Sequence, residues 1–260
     1  MDLKELKYKV HKENLVRHPW ESARFNITCN LIKDQIKDNN LKVIFDIGCG
    51  DTFFIESLSS KFNNCKFVGI DIAFSEEFIK GKSTELNKKN IYLYKDVNTA
   101  LMECNQEVSL ILLMDVIEHI ENDNSFLCNL YNKKYISNST YFLITVPAFQ
   151  FLFGEHDIFL EHFRRYSNST LKKLVQNCGF KIDKIGYFFT ILLIPRIFNV
   201  LIERIQNKKQ NKIQGLSTWN GGKITSLFIK YILYFDFIIF KIFKNKFPGL
   251  SNFVICRKSA

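Results

Sequence analysis

Residues 41–51, LKVIFDIGCGD, contain the pattern that decides the fold of this chain. A run of β-branched and aromatic residues leads into the turn Gly48-Cys49-Gly50. Such a run ending at glycines is typical of a central strand in a parallel sheet. A glycine backbone can approach a ligand closely, and a helix that starts near Thr52 would direct its amides at that ligand. The segment therefore predicts a loop that binds a nucleotide-type cofactor.

The composition indicates the size and general class of the protein. The chain has 260 residues, of which 47% are hydrophobic and 24% charged, and this is ordinary for a soluble globular protein. Its length allows one large α/β domain, with or without an appendage. The formal net charge of +10 comes mainly from scattered lysines. Because the lysines are scattered, we predict no nucleic-acid partner.

The seven cysteines are widely spaced, and none belongs to a C-x-x-C pair. This pattern predicts neither a zinc site nor a disulfide framework. Free cysteines suit a reducing compartment, and the N-terminus lacks the apolar stretch of a signal peptide. We therefore predict a cytoplasmic protein.

Segments with strand and helix patterns alternate along the chain. We predict strands at residues 43–47, 66–71, 91–96, 108–114, 139–146 and 181–188, and helices at 53–62, 75–87, 122–135 and 169–177. This alternation is typical of a doubly wound parallel sheet in an α/β protein.

An aspartate stands at or near the end of four predicted strands: Asp46, Asp71, Asp96 and Asp115. The carboxyl ends of the strands form the ligand crevice of an open α/β sheet. Asp71 follows the glycine turn by about 20 residues, the spacing of a carboxylate that binds ribose hydroxyls. For Asp96 and Asp115 the alternative of a helix cap or turn residue stays open.

The residues around the turn discriminate between cofactors. Dinucleotide folds use G-x-G-x-x-G, but Phe53 occupies the position of the third glycine. Asp46 and Asp51 flank the turn, and carboxylates beside a pyrophosphate would be unfavourable. Carboxylates beside a cationic nucleoside would be favourable, so a positively charged nucleoside cofactor fits better.

The segments VIFDIGCGD, FVGIDIA, LYKDVN and LLMDVIEHI resemble, in order, the motifs of class I S-adenosylmethionine-dependent methyltransferases. The resemblance covers roughly residues 41–188 and departs from the family where Asp51 or Thr52 replaces a third glycine. It implies a Rossmann-like, mostly parallel seven-stranded sheet, with S-adenosyl-L-methionine as the cofactor.

The resemblance also implies roles for individual residues. The amino-acid end of the cofactor would lie against the glycine turn, the ribose against Asp71 and the adenine against Ile72. The residues that it assigns to cofactor binding are Asp46, Gly48, Cys49, Gly50, Asp71, Ile72, Asp96, Val97, Asp115 and His119.

Residues 1–40 precede the first strand and contain a predicted helix that begins near Pro19. We expect this helix to cover the sheet or to act as a lid over the cofactor. Trp20 is a candidate cofactor contact, but a tryptophan beside a proline is as often a packing residue.

Residues 146–167 resemble a subgroup of bacterial methyltransferases associated with surface-glycan and secondary-metabolite genes. The resemblance implies that this segment covers the methyl acceptor. An alcohol acceptor must lose its proton, and a histidine is the usual base. His156 and His162 are the candidates, with Asp157 or Glu155 able to orient one of them.

Three residues of the same segment are candidate substrate-binding residues: Arg164, Arg165 and Tyr166. Arginine can bind a phosphate or carboxylate of an acceptor with two hydrogen bonds. The alternative is that Arg164 pairs with nearby acids and that the histidines cap helices. We predict no metal site, because hard cations prefer oxygen ligands.

Two strongly apolar helices are predicted at residues 188–205 and 224–243, on either side of a polar linker, and a last strand follows at 251–257. Lys230, Asp236 and Lys241 interrupt the second helix, and charges at the depth of a membrane core are costly. A membrane-surface helix at the inner face of the membrane, a lid over the acceptor and a homodimer interface remain open.

The sequence therefore predicts a methyltransferase with four parts. They are an N-terminal helical lid at residues 1–40, the cofactor-binding core at 41–188, the helical insertion at 189–246 and the final strand at 247–260. We expect methyl transfer to an oxygen of a small or glycan-linked acceptor, in surface-polysaccharide or related metabolite modification. Alternatives are methylation of a phosphorylated small metabolite and a non-catalytic cofactor-binding scaffold.

Overall fold

The computed structural model describes residues 17–36, 41–206 and 221–259. The strands are β1 (Val43–Ile47), β2 (Lys66–Ile70), β3 (Ile91–Tyr94), β4 (Leu110–Met114), β5 (Tyr141–Pro147), β6 (Phe180–Phe188) and β7 (Ser251–Lys258). The α-helices are α1 (Pro19–Ile36), α2 (Phe53–Ser59), α3 (Glu76–Lys88), α4 (Val97–Cys104), α5 (Asp123–Tyr131), α6 (Glu155–Phe159), α7 (Asn168–Asn177), α8 (Thr190–Gln206) and α9 (Lys223–Ile242). The predicted polar linker at 207–220 and the first part of the predicted lid lie outside the described residues.

The strands form one seven-stranded sheet in the order β3-β2-β1-β4-β5-β7-β6. All neighbours are parallel except β7, which runs antiparallel to both β5 and β6. Strand β1 lies between β2 and β4, where Asp46 pairs in register with Gly69 and Leu112. The predicted α/β sheet is therefore confirmed, and the carboxyl ends of β1 to β4 meet at one edge.

Helices cover both faces of the sheet, as a doubly wound fold requires. One hydrophobic cluster packs α1, α2, α3 and α9 against the sheet, and the second packs α4, α5 and α7 against the opposite face. All five β1 residues are buried, because this central strand has apolar neighbours on both faces.

Helices α4 and α6 were not predicted from the sequence, and α2 and α5 end earlier than predicted. Helix α4 follows β3 directly, and Asp96 caps it by accepting hydrogen bonds from the amides of Asn98 and Thr99, each at 2.9 Å. Helix α5 ends at Tyr131, whereas residues 132–135 lie in turns.

The structure corrects the prediction about the cysteines. Cys128 in α5 and Cys178 at the end of α7 form a disulfide. They lie 50 residues apart in the sequence, so only the packing of α5 beside α7 brings them together. The other cysteines in the described part of the chain carry free thiols.

The insertion between β6 and β7 consists of α8 and α9, which a buried carboxylate joins. Asp236 of α9 accepts hydrogen bonds from the amides of Thr190, at 2.8 Å, and Ile191, at 3.2 Å, at the start of α8. This contact satisfies two amides that an isolated helix would leave unpaired. Among the described helices, none is long and apolar enough to cross a membrane.

Replacing Asp236 should destabilise the fold. Asp236→Ala leaves two helix-end amides without their acceptor, and we expect a loss of about 1–3 kcal/mol in the free energy of unfolding. Asp236→Asn, which keeps one acceptor oxygen, should lose less. Urea denaturation measures both, with the exposed Lys223→Ala as the control. A loss for Asp236→Ala no larger than that control would contradict the capping role.

Candidate active site

A cleft of about 1670 Å³ lies at the carboxyl edge of the sheet. The glycine turn and the ends of β2, β3 and β4 line one part of it. Residues of α1, α6 and α8 and the segment after α6 line the rest. The topology thus brings the predicted cofactor loop and the predicted acceptor segment to one cleft.

The glycine turn has the backbone that its sequence predicts. Gly48 and Gly50 have φ angles of +74° and +58°, in the left-handed region that favours glycine. A Cβ on Gly48 would lie 2.6 Å from Cγ2 of Val116, so no larger residue fits without a shift. Thr52 also has a positive φ, +67°, although it stands where we noted the loss of a glycine.

Asp71 closes the turn from the neighbouring strand. Its two carboxylate oxygens accept hydrogen bonds from the amides of Gly50 and Ala73, both at 2.9 Å. The next side chain, Ile72, is 84% exposed and lines the cleft. An apolar side chain left this open beside a carboxylate suits the predicted contacts with an adenine and a ribose.

Asp46 is buried behind the glycine turn, and its Oδ2 atom has no hydrogen-bond partner within the described residues. Burial raises the pKa of Asp46 from 3.8 to about 7. Burial also raises the pKa of the neighbouring Cys49 thiol well above its ordinary value. An unpaired carboxylate beside a glycine cradle fits a cofactor that carries positive charge, as S-adenosyl-L-methionine does.

Helix α1 reaches the end of β4 through an ion pair that we did not predict. Arg24 of α1 binds Asp115, which also accepts a hydrogen bond from the Thr145 hydroxyl at 3.0 Å. The Arg24 guanidinium lies 4.6 Å from the Trp20 ring centroid, and both residues line the cleft. Trp20 also packs against the core. It therefore has the surroundings of a packing residue and, at the same time, a place in the cleft wall.

Asp96 and Val97 lie at the mouth of the cleft. Hydrogen bonds, chiefly from the Thr99 hydroxyl, lower the pKa of Asp96. Asp96 is thus a helix cap, the alternative noted from the sequence, and it still faces the cleft.

Asp157, which is fully buried, organises the part of the cleft lined by the predicted acceptor segment, here called the acceptor end. Its Oδ1 lies 2.9 Å from Nδ1 of His162 and 2.7 Å from Nε of Arg165. Its Oδ2 accepts from Arg196, at 3.2 Å, and from the Gly154 amide, at 3.0 Å. Burial alone would raise the pKa of Asp157, but the hydrogen bonds from His162 and Arg165 outweigh it and hold that pKa well below its usual range.

The two candidate bases lie in different environments. Because an ionised Asp157 can only accept, Nδ1 of His162 carries a proton, and in the neutral imidazole the lone pair is then on Nε2. Burial lowers the pKa of His156 from 6.5 to about 4, which makes it neutral but weakly basic. The structure thus orients His162 through Asp157 rather than through Glu155.

Two further groups surround His162. The rings of His119 and His162 pack edge to face, with centroids 4.5 Å apart. Glu118 is fully buried, and neither of its carboxylate oxygens has a hydrogen-bond partner among the described residues. Burial raises the pKa of Glu118 well above its ordinary value. The nearby arginines are committed to other acids, Arg24 to Asp115 and Arg165 to Asp157.

The predicted substrate-binding residues have partners within the chain. Arg165 is buried and bound to Asp157. Arg164 lies 2.9 Å from Asp123, and the Tyr166 hydroxyl donates to the same carboxylate at 2.7 Å. Neither Arg164 nor Tyr166 lines the cleft, because both attach the acceptor segment to α5 instead.

Three residues of the site were missed. Arg24 stands four residues after Trp20, on the same helix face, and this spacing is the signal that could have found it. Arg196 is an arginine within an otherwise apolar helix, which is a second usable signal. Nothing in the sequence distinguishes Glu118 from an exposed helix residue.

The pKa of Asp46 leads to a stability prediction. The folded-state pKa is raised, so wild-type protein is stabilised below the unfolded pKa and loses this stabilisation as the pH rises toward 7. At pH 8 we expect the free energy of unfolding of Asp46→Asn to exceed that of wild type by on the order of a few kcal/mol. The difference should shrink steadily toward pH 5.

Denaturation of cofactor-free protein at several pH values measures this difference. Glu77→Gln, an exposed change on α3, is the control and should not differ from wild type. An offset for Asp46→Asn that is absent, or equal at pH 5 and pH 8, would contradict a buried charge at this position.

Comparisons with known proteins show the family to which this chain belongs. A family model described as a methyltransferase domain matches residues 20–185. N-methyltransferase 4 of Papaver somniferum is 27% identical over 138 residues, which cover 52% of this chain and 37% of that relative. This chain therefore aligns with little more than a third of the relative's length.

Solved structures show the same fold at low identity. Phosphoethanolamine N-methyltransferase 2 of Haemonchus contortus, in complex with S-adenosyl-L-methionine, superposes with a TM-score of 0.53 at 15% identity, covering 90% of this chain and 53% of that chain. Coclaurine N-methyltransferase, bound to N-methylheliamine and SAH, gives a TM-score of 0.53 at 13% identity, with coverage of 90% and 70%. With the family model matching well over half of its length, this chain belongs to the class I S-adenosylmethionine-dependent methyltransferases.

Proposed function

We propose that this enzyme methylates a hydroxyl oxygen of a small or glycan-linked acceptor. The observation that carries the proposal is the pairing of buried Asp157 with His162 at the acceptor end of the cleft. A hydroxyl acceptor needs its proton removed as it attacks the methyl group, and a positioned base supplies that step. A histidine held by a buried carboxylate is suited to that task.

The residues of the chain have distinct parts in this proposal. Bound S-adenosyl-L-methionine supplies the methyl group from its sulfonium centre. The glycine turn, Asp46 and Asp71 would hold the cofactor, and Ile72 would cover its base. His162 would accept the hydroxyl proton at Nε2, with Asp157 fixing the ring and stabilising its charged form.

An amine acceptor is the second candidate, because the matched relative is named an N-methyltransferase. Methylation of a phosphorylated metabolite has less support, since Arg164 and Arg165 are bound to Asp123 and Asp157. A mass-spectrometric screen for products heavier by one methylene group, with sugars, amines and phosphorylated metabolites as acceptors, separates the three.

We further infer that the acceptor is attached to a lipid and that α8 and α9 contact an anionic membrane surface. Both helices expose large apolar side chains, here called the apolar face: Ile194, Phe198, Ile205, Phe228, Phe235 and Ile242, between 60% and 79% exposed. Helix α9 is apolar on its buried side as well, since Leu233 and Phe237 pack in the core. A helix that is apolar all round needs a cover on both sides.

Charge favours a membrane over a second copy of the chain as that cover. Helix α9 carries Lys223 and Lys230, whereas its Lys241 is paired with Asp34 of α1 and its single acid, Asp236, is buried against α8. Two such faces would repel each other, whereas anionic headgroups would attract them. Helix α8 also lines the cleft through Leu192 and Arg196, so the apolar face adjoins the acceptor site.

Removing the proposed base should abolish turnover and leave cofactor binding intact. We expect His162→Ala to lower the methylation rate by about 10²–10⁴-fold with the acceptor found in the screen. Titration with S-adenosylhomocysteine should give a Kd within twofold of wild type. His156→Ala is the comparison, because the same loss in that variant alone would identify His156 as the base instead. Full turnover in His162→Ala would exclude base catalysis by this residue.

Binding to vesicles tests the membrane contact. Wild type should sediment with phosphatidylcholine vesicles that contain phosphatidylglycerol, less with phosphatidylcholine alone, and less at high salt. Phe228→Glu with Phe235→Glu should weaken binding at least tenfold. Met102→Glu, at a 70% exposed position in α4, is the matched control. A stable dimer by light scattering, with no binding to vesicles, would show that a second copy covers the face.

A further inference from the structure

We propose that Glu118, His119 and His162 form a binding site for a divalent transition-metal ion at the acceptor end of the cleft. One ligand atom from each of the three side chains lies within 4.8 Å of the other two. All three residues line the cleft, so an ion held by them would face the acceptor. From the sequence we predicted no metal, because hard cations prefer oxygen ligands and Glu118 was not among the candidate site residues.

The geometry needs only a small closure around an ion. Ligands at about 2.0–2.2 Å from one ion are separated by at most about 4.4 Å. The present separations, all within 4.8 Å, therefore exceed that limit by a few tenths of an ångström at most, which side-chain rotation can remove. The edge-to-face packing of His119 and His162, with ring planes 83° apart, also brings the two imidazoles close without stacking them.

The second observation is the state of Glu118. This carboxylate is 0% exposed, so solvent does not reach it. Both of its oxygens also lack hydrogen-bond partners in the described part of the chain. Buried carboxylates are normally paired or bound to a cation. A metal ion would supply the positive charge that Arg24 and Arg165, already bound to Asp115 and Asp157, do not.

The third observation concerns His162. Its Nδ1 faces Asp157 at 2.9 Å, which leaves the Nε2 lone pair for a ligand. A histidine that binds metal almost always donates its other ring N–H to a carboxylate or carbonyl in this way. Arg165, Arg196 and the Gly154 amide hold Asp157 in place, so the histidine is oriented in advance.

The donor set indicates which ions the site would take. Two imidazole nitrogens and one carboxylate suit Zn²⁺, Fe²⁺ or Mn²⁺, whereas Mg²⁺ prefers an all-oxygen set. Three protein ligands leave coordination positions open, as in catalytic rather than structural metal sites.

The ion's role in binding the acceptor rests on the proposed function. The ability of the site to bind the ion does not depend on that function. An open position could take the acceptor's hydroxyl oxygen and favour its ionised form, with the proton passing to water in the cleft. In the metal-loaded enzyme the His162 lone pair would bind the ion and could not accept a proton. Coordination of the acceptor's hydroxyl oxygen by the ion would then replace proton removal by the imidazole. Base catalysis by His162 would then describe the metal-free enzyme.

Metal binding can be measured without any acceptor. The full-length protein is stripped with a chelator, dialysed against Zn²⁺, Mn²⁺ or Mg²⁺ alone, and analysed for bound metal. We expect one Zn²⁺ or Mn²⁺ per chain and no retained Mg²⁺. Glu118→Gln, His119→Gln and His162→Gln should each weaken binding at least tenfold, and Asp157→Asn about 10–100-fold.

Glu121→Gln, an exposed change in the same segment, is the matched control and should bind as wild type does. Thermal melting and S-adenosylhomocysteine titration show which variants are folded. No retention of Zn²⁺ or Mn²⁺ by wild type, or equal retention by folded Glu118→Gln, overturns the proposal.

Methyl transfer is assayed separately, with and without chelator. Turnover that is unaffected by the chelator, in protein that binds no metal, rejects the metal site and retains the proposed function. Specific metal binding with no methylated product from any hydroxyl acceptor rejects the proposed function and retains the metal site.

Discussion

The acceptor half of the active site depends on one buried carboxylate, Asp157. A charge at this depth must be compensated, and its compensation comes from three different segments of the chain. They are the loop before α6, the segment that carries His162 and Arg165, and helix α8 through Arg196. Loss of Asp157 would remove a carboxylate partner from Arg165 and Arg196 and leave His162 without its orientation. The cleft wall and the candidate catalytic histidine are thus parts of one network.

Two buried carboxyl groups near the cleft, one in each half, are left without hydrogen-bond partners among the described residues. Asp46 and Glu118 are buried carboxylates with unpaired oxygens among the described residues, and each costs stability in a protein without ligand. Such costs persist where function needs the group. The two positions differ in what would relieve them, since Asp46 lies behind the cofactor turn and Glu118 beside two imidazoles.

The insertion of α8 and α9 relates the cleft to the outer surface. Asp236 caps α8 from α9, so the two helices are held as a pair. One side of α8 contributes Arg196 to the Asp157 network, and another side exposes Ile194 and Phe198. A ligand bound on the apolar face would therefore contact the helix that helps position His162. This arrangement suits an acceptor whose reactive end must reach the cleft from a surface.

The sequence by itself determined the parallel sheet and the cofactor. Both follow from local patterns, namely apolar runs that end at an acid or a glycine, such as residues 41–51, and Asp71 about 20 residues after the turn. Helix α4 escaped prediction because Asp96 was assigned to a strand end, although it also caps that helix.

Only the tertiary structure decided the partners of side chains that are distant in sequence. Arg24 meets Asp115 and Cys128 meets Cys178 through helix packing, which no local pattern records. The structure also pairs Arg165, a predicted substrate-binding residue, with Asp157. Spacing along a chain reports which face of an element a residue occupies, whereas the charge that it meets there depends on how the elements pack.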